Sequence, residues 1–174
     1  MATISRPKAG DHAPYYSTYV DKVPDGDVIE LLERQGRDTA ALLRRIDEKK
    51  SLHRYEPGKW SIREVVGHIA DTERVFAYRA VTFARADSTA LPSMDQDGWA
   101  KASNANDRAL AELATELAAV RGASVALFRS FGATQLARGG TASNNHVTVP
   151  ALAYIIAGHE IHHVKILREK YGVQ

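Results

Sequence analysis

The sequence predicts an all-α fold: a four-helix bundle over residues 25–174, with an irregular strap over residues 1–24 laid across it. Three observations predict it. Long stretches carry apolar residues at the i, i+3, i+4 spacing that turns one helix face inward. Capping residues stand where those stretches begin. No segment alternates apolar and polar residues as a half-buried strand does, so no substantial sheet is expected. A chain of 174 residues is most simply one domain, long enough to bury a sizeable core.

Residues 1–24 hold three prolines and the tyrosines Tyr15, Tyr16 and Tyr19 without a period, which reads as a strap over the bundle. His12 lies in it and reads as solvated. The first helix is expected from Asp25 or Asp27, either of which can cap it, to about residue 49, with Val28, Leu31, Leu32, Leu42, Leu43 and Ile46 inward. Gln35 and Thr39 serve its middle turn, and Glu30, Glu33, Arg34, Arg37, Arg44 and Arg45 form a wet side. The Pro57-Gly58 turn leads to Ser61-Ile62-Arg63-Glu64, a capping box that opens a second helix running to about residue 86. Ile62, Val65, Ile69, Phe76, Ala80 and Phe83 mark its buried face, and His68 lies toward one edge of that arc.

Residues 87–105 read as a long connection in which Asp95 and Asp97 are turn residues. Trp99 and Met94 either cover a pocket mouth or pack on the bundle end. A third helix is expected from Asn104 or Asn106 to about residue 131, with a near-heptad seam of Leu110, Leu113, Leu117, Val120, Ser124, Leu127 and Phe131. Gly122 reads as a close helix–helix approach. Residues 138–145 read as a polar loop whose glycines lack the Lys-Ser/Thr pair of a phosphate loop. Thr148 caps the fourth helix, with Pro150 in its first turn. That helix is apolar at its back as well, through Ala153, Ala157, Ile161 and Val164, so it is either central or part of a subunit interface.

Composition excludes several functions. Lys and Arg exceed Asp and Glu by only 23 to 21, which gives no electrostatic case for nucleic acid or an anionic membrane. No segment approaches the length of a membrane span, and residues 1–10 lack the apolar core of a signal peptide. Cysteine is absent, which removes disulfides, thiolate metal sites and any cysteine nucleophile. The expectation is a cytoplasmic protein.

The chemistry concentrates in Gly158-His159-Glu160-Ile161-His162-His163. Leu152, Ile156, His159, His163 and Ile166 form one helical seam, with the two histidines about 40° apart and one turn along the axis. Two imidazoles so placed can share one metal ion, and each buried ring nitrogen needs a partner. A lone buried histidine more often bonds a backbone carbonyl; a pair on a Leu/Ile seam favours a metal. His159-Glu160-Ile161-His162-His163 contains the H-E-x-x-H pattern of zinc proteases, yet no His or Asp follows it. A third ligand therefore comes from earlier in the chain, and His68 is the best supplier. His162 competes with His163 and is placed at the border of the seam; His146 and His53 are not expected to take part. Glu160 either turns toward the metal as a base or faces a neighbouring helix or solvent. Asp71 either orients His68 or forms a surface ion pair.

Trp60-Ser61-Ile62-Arg63-Glu64, Gly67-His68-Ile69-Ala70-Asp71-Thr72-Glu73 and Ala157-Gly158-His159-Glu160-Ile161-His162-His163 resemble the signature blocks of the DinB/YfiT-like superfamily. The resemblance covers residues 28–171 in the family's order and spacing. It implies an up-down-down-up four-helix bundle, often a homodimer, with a histidine triad holding Zn²⁺, Ni²⁺ or a similar divalent ion. By position the triad falls on His68, His159 and His163. Relatives include metal-dependent hydrolases, S-transferases that use bacillithiol or mycothiol, and a mycothiol-dependent maleylpyruvate isomerase. The functions so implied are a metal-dependent hydrolase or a low-molecular-weight-thiol S-transferase acting on a small molecule; the alternative is a non-catalytic, stress-related metal-binding protein. Catalytic groups beyond the triad are not identified by the resemblance.

Overall fold

The structure, a computed structural model, describes residues 3–174. Its helices are α1 (Ser17–Val20), α2 (Val28–Leu43), α3 (Glu48–Ser51), α4 (Ile62–Ala84), α5 (Gln96–Ala102), α6 (Leu110–Arg129), α7 (Ala133–Leu136) and α8 (Val149–Glu169). A hairpin of β1 (Gly139–Ala142) and β2 (Asn145–Thr148) precedes α8. The long helices α2, α4, α6 and α8 form the bundle, and none of the helices is long and apolar enough to cross a membrane.

Side-chain pairs fix the helix directions. Glu33 in α2 meets Arg129 at the end of α6 at 2.7 Å, and Glu48, beyond α2, accepts the Leu110 N–H at the start of α6, so these two are antiparallel. Ser61 donates to Asn106 just before α6, while Glu73 further along α4 accepts from Arg121, so α4 and α6 run parallel. The Tyr171 hydroxyl, past α8, donates to the Trp60 carbonyl before α4, and Arg138, ahead of α8, donates to Ala84 at the end of α4. These two helices are antiparallel. Gln35 and Thr39 of α2 reach Ala157 and Glu160 of α8 in the same order, so that pair is parallel. The result is the expected up-down-down-up bundle.

Local chemistry moves several expected boundaries. The Ser61/Glu64 capping box forms as read: Ser61 Oγ accepts the Glu64 N–H, and Glu64 accepts the Ser61 N–H at 2.7 Å. Asp27, not Asp25, caps α2 through the Ile29 N–H at 2.7 Å. That helix stops at Leu43 instead of running to 49, because Asp47 takes the Lys49 and Lys50 N–H groups and restarts a separate turn, α3. The connection after α4 contains α5, capped by Asp95 through the Gly98 N–H. Asn104 is left-handed with φ 50° and Asn106 bonds Ser61 and Glu64, so α6 begins later, at Leu110, with a distant cap from Glu48. Gly122 faces open space and marks no close approach; at Gly36 a Cβ would lie 3.0 Å from Arg121 Cγ, so it is Gly36 that sits close to α6.

Residues 138–145, expected as a loop, contribute to a hairpin. Ser143 and Asn144 both have positive φ, 52° and 61°, as a two-residue turn of the mirror-image kind requires. A Cβ at Gly140 would collide with the Phe83 ring, so this glycine lets β1 lie flat on α4.

The back of α8 is covered within the single chain over its first half and only partly beyond it. Ala153 and Ala157 are fully buried within the single chain, and Ile161 and Val164 are half-buried against its two cores. The strap crosses α8 at Gly158, where a Cβ would collide with the Tyr19 carbonyl and lie 3.0 Å from Tyr19 Cα. Arg6 clips the strap by donating to the carbonyls of Val23 at 2.6 Å and Pro24 at 3.1 Å. Gly158→Ala is therefore expected to lower stability by about 1–3 kcal/mol through overpacking, against the roughly 1 kcal/mol that Ala gains over Gly in an open helix. A urea midpoint equal to or above that of the parent would show that the strap does not press on α8.

Two apolar cores result, one around Leu32, Phe76, Phe83, Phe128 and Ile156, the other around Leu43, Ile69, Leu113 and Leu167. A polar belt separates them. It contains Gln35 and Thr39 of α2, His68, Thr72 and Glu73 of α4, Arg121 and Ser124 of α6, and His159, Glu160 and His163 of α8, all buried.

Candidate metal centre

One side of the belt is histidine. Helical spacing places His159 and His163 on the same face of α8, and the antiparallel α4 brings His68 opposite them. His159 Nε2 lies 3.0 Å from His68 Nε2 and 3.1 Å from His163 Nε2. One nitrogen from each residue falls within 4.8 Å of the others, and this is the metal-competent group found among the described residues. The exposures are 4%, 5% and 9% for His68, His159 and His163.

The other candidates separate cleanly. His162 is half-buried, its ring 5.1 Å from that of His163, and lies outside the converging group. His146 is exposed on β2, and His53 is exposed beside Tyr171. His12 is partly buried and its Nδ1 is 2.9 Å from the Ala13 carbonyl. Glu160 turns away to the opposite side of the belt, where Arg121 Nη2 is 2.6 Å from its Oε2 and Thr39 donates to its Oε1. Asp71 pairs with Arg74 at 3.1 Å, and it is the Thr72 hydroxyl that lies 3.4 Å from His68 Nδ1.

Several neighbours are not singled out by the sequence reading. Tyr19 packs edge-on against His159 and His162, with centroids 5.3 and 5.5 Å away. Trp60, ahead of the α4 cap, lies 4.7 Å from the His68 ring. The i, i+4 spacing of His68 and Thr72 carries a signal for that pair; the aperiodic strap carries none for Tyr19.

A cleft of about 270 Å³ opens onto His68 and His159 and is walled by Tyr16, Tyr19, Phe76 and Met94. Met94 lines this cleft, and Trp99, 47% exposed, lines an adjoining one.

The donor set fits a divalent transition metal. Nitrogens each about 2.1 Å from one ion, and about 90–109° apart, stand roughly 3.0–3.4 Å from one another, close to the two separations observed here. Burial pushes His68 down to about 4 and, with help from the neighbouring histidines, His163 down to about 3; His159 is held well below the ordinary range by burial and then by those neighbours. All three are neutral at pH 7, with lone pairs free for coordination. The His163 Nδ1 is buried without a protein partner, so the cluster is poorly satisfied by its own hydrogen bonds.

These depressed values predict acid sensitivity for metal-free protein. Unfolded histidines titrate near 6.5, so below that pH the unfolded chain binds protons that the folded chain refuses. Stability is complete above about pH 6.5 and falls progressively toward the folded values of about 4 and about 3. Unfolding free energies from urea titration of chelator-treated protein at pH 7.5 and 5.0 should differ by several kcal/mol, at up to about 1.4 kcal/mol per pH unit per group. A flat profile would refute burial of neutral imidazoles.

An up-down-down-up bundle with one histidine from the second long helix and two from the fourth defines a class of protein by fold and site. A family model for the DinB superfamily matches residues 31–167, and the chain belongs to that superfamily. Among solved structures it is similar to YfiT from Bacillus subtilis, with a TM-score of 0.72 and 21% identity over 84% of this chain and 87% of that one. That protein is described as a probable metal-dependent hydrolase with an unusual four-helix bundle topology. No curated protein matches the sequence.

Proposed function

We propose that this chain is a metal-dependent enzyme in which His68, His159 and His163 bind one divalent transition metal, Zn²⁺ or Ni²⁺, and act on a small molecule. The observation that carries this reading is the cleft that reaches His68 and His159, with no fourth protein ligand among the described residues to close the group. A structural zinc site is normally sealed by four protein ligands, whereas a catalytic one keeps a position open. That contrast disfavours the non-catalytic, stress-related reading. The description of YfiT as a probable metal-dependent hydrolase supports the same class of chemistry.

When bound, such an ion acidifies a coordinated water or thiol and polarises an acceptor group. The chain's own residues do the rest. The neutral imidazoles supply the lone pairs, and Trp60 and Thr72 hold the His68 ring in place. Tyr16, Tyr19 and Phe76 put apolar surface along the cleft beside the histidines, a low-dielectric wall that strengthens electrostatic interactions against it. Glu160 is committed to Arg121 and Thr39 and does not serve as a base at the triad. Because the chain lacks cysteine, an S-transferase reaction requires a low-molecular-weight thiol as cosubstrate.

The test loads purified protein with Zn²⁺ or Ni²⁺ and assays ester hydrolysis alongside conjugation of a low-molecular-weight thiol to an electrophile. The expected result is about one ion per chain and one activity that chelation abolishes and the ion restores. A protein that takes up no ion, or turns over equally after chelation, would end the proposal.

A further inference from the structure

We propose that Arg79 is the anion-recognition residue of this site, selecting small substrates that join a carboxylate to an apolar group. The inference rests on the catalytic reading for its biological meaning, but its geometry stands apart from the histidines. Arg79 is 3% exposed and, among the described residues, its bonds go to a carbonyl and a hydroxyl and not to a carboxylate. Its Nη2 donates to the Pro92 carbonyl at 2.8 Å and to Ser143 Oγ at 3.0 Å, and its guanidinium lies 5.3 Å from the Phe76 ring. A guanidinium has five N–H donors, so those two bonds leave the donors on Nε and Nη1 without a protein acceptor.

Those donors are not sealed from solvent, so they stand available to a ligand entering the clefts, in the planar fork that suits a carboxylate. The other buried guanidinium, Arg121, shows the contrast, since it meets both Glu73 and Glu160. Arg79 also occupies the junction of two clefts. It lines the 270 Å³ cleft that reaches His68 and His159, and it lines a second cleft of about 400 Å³ formed by Val75, Tyr78, Leu91, Pro92, Met94 and Trp99. The carboxylate at that second cleft, Asp71, is already paired with Arg74. A ligand with its carboxylate on Arg79 can place an apolar ring against Trp99 while another part extends toward the histidines.

The probes are 1-naphthoate and its neutral counterpart 1-naphthamide, titrated calorimetrically into chelator-treated full-length protein. Metal-free protein makes the result independent of whether the histidines bind an ion, and metal content is measured separately. Naphthoate should bind at least about tenfold more tightly than the amide, the effect expected of one charge-assisted hydrogen bond. Arg79→Gln should abolish that preference and leave naphthamide affinity within about twofold, whereas Trp99→Ala should weaken both probes together. Equal binding of the two probes by the parent protein would overturn the proposal, and so would a preference that survives Arg79→Gln. If Arg79→Gln fails to fold, Arg79→Met takes its place; it keeps the packing of the stem and removes every donor, and a preference that survives in that variant would equally overturn the proposal.

Discussion

Arg121→Met is expected to destabilise the protein by about 3–5 kcal/mol, because it strips the cation from two buried carboxylates. Arg121 Nε and Nη2 bind Glu73 at 2.9 and 2.8 Å, Nη1 donates to the Leu32 carbonyl at 2.9 Å, and Glu160 lies 2.6 Å from Nη2. Glu73, Arg121 and Glu160 are all at or below 3% exposure, so little solvent is available to take over the charge. Thr39 alone would remain to Glu160. The same substitution at Arg129, whose partly exposed pair with Glu33 spans 2.7 Å, should cost under about 1 kcal/mol. Urea denaturation of the two variants measures the contrast. Replacing Glu73 and Glu160 by Gln in the Arg121→Met background should recover a large part of the loss, since it removes the stranded charges. Similar midpoints for Arg121→Met and Arg129→Met would show that the buried network does not hold the bundle.

That network also shows where the sequence is silent. His159, Glu160 and His163 are legible as a helix with chemistry on it, because one apolar seam with two interruptions is a local, periodic signal. Which way Glu160 faces is not local. At about 100° from His159 it leaves the triad, but its destination depends on Arg121, 39 residues earlier by the sequence numbering, and on Thr39 of α2. Arg121 occupies a helix whose other residues read as a simple Leu seam, and the long charged side chain there gives no sign of being buried. Gln35 and Thr39 stand out only as gaps in the α2 period, and the structure shows that these gaps are the α2 share of the polar belt.

The misplaced boundaries have a similar origin. The Ser61/Glu64 box is a four-residue signal and is read correctly, whereas the α6 start is decided by Glu48, which lies on a different element. The hairpin escapes notice because β1 is Gly-Gly-Thr-Ala, short and poor in the β-branched and aromatic residues that announce a strand. Its placement comes from packing: Gly140 rests on Phe83, and Ala142 bridges to Leu91. Tyr19, Met94 and Arg79 reach the cleft from the strap, the long connection and the far end of α4, and no spacing rule connects them.

The triad itself gives the other large effect. His159→Ala is expected to reduce affinity for a divalent transition metal by well over the 100-fold that loss of a supporting hydrogen bond can cost. His159 is the pivot, since its Nε2 is the atom within 3.0 and 3.1 Å of both partners. His68→Ala and His163→Ala should each weaken retention strongly as well. His162→Ala should do far less, and His53→Ala and His146→Ala almost nothing, because these rings stand outside the converging group. Elemental analysis after dialysis against a competing chelator gives the ranking. If His68→Ala keeps its full complement while His162→Ala loses it, the ligand set is wrong. Thermal unfolding supplies a second reading that needs no activity. An ion bound only by the folded state adds about 4.1 kcal/mol at a thousand times its Kd, so chelation should lower the melting temperature of the parent and of His146→Ala. It should leave His159→Ala nearly unchanged, because that variant has no bound ion to lose. A parent whose melting temperature ignores both chelator and saturating Zn²⁺ or Ni²⁺ would mean that three neutral imidazoles were buried together for some purpose other than a metal.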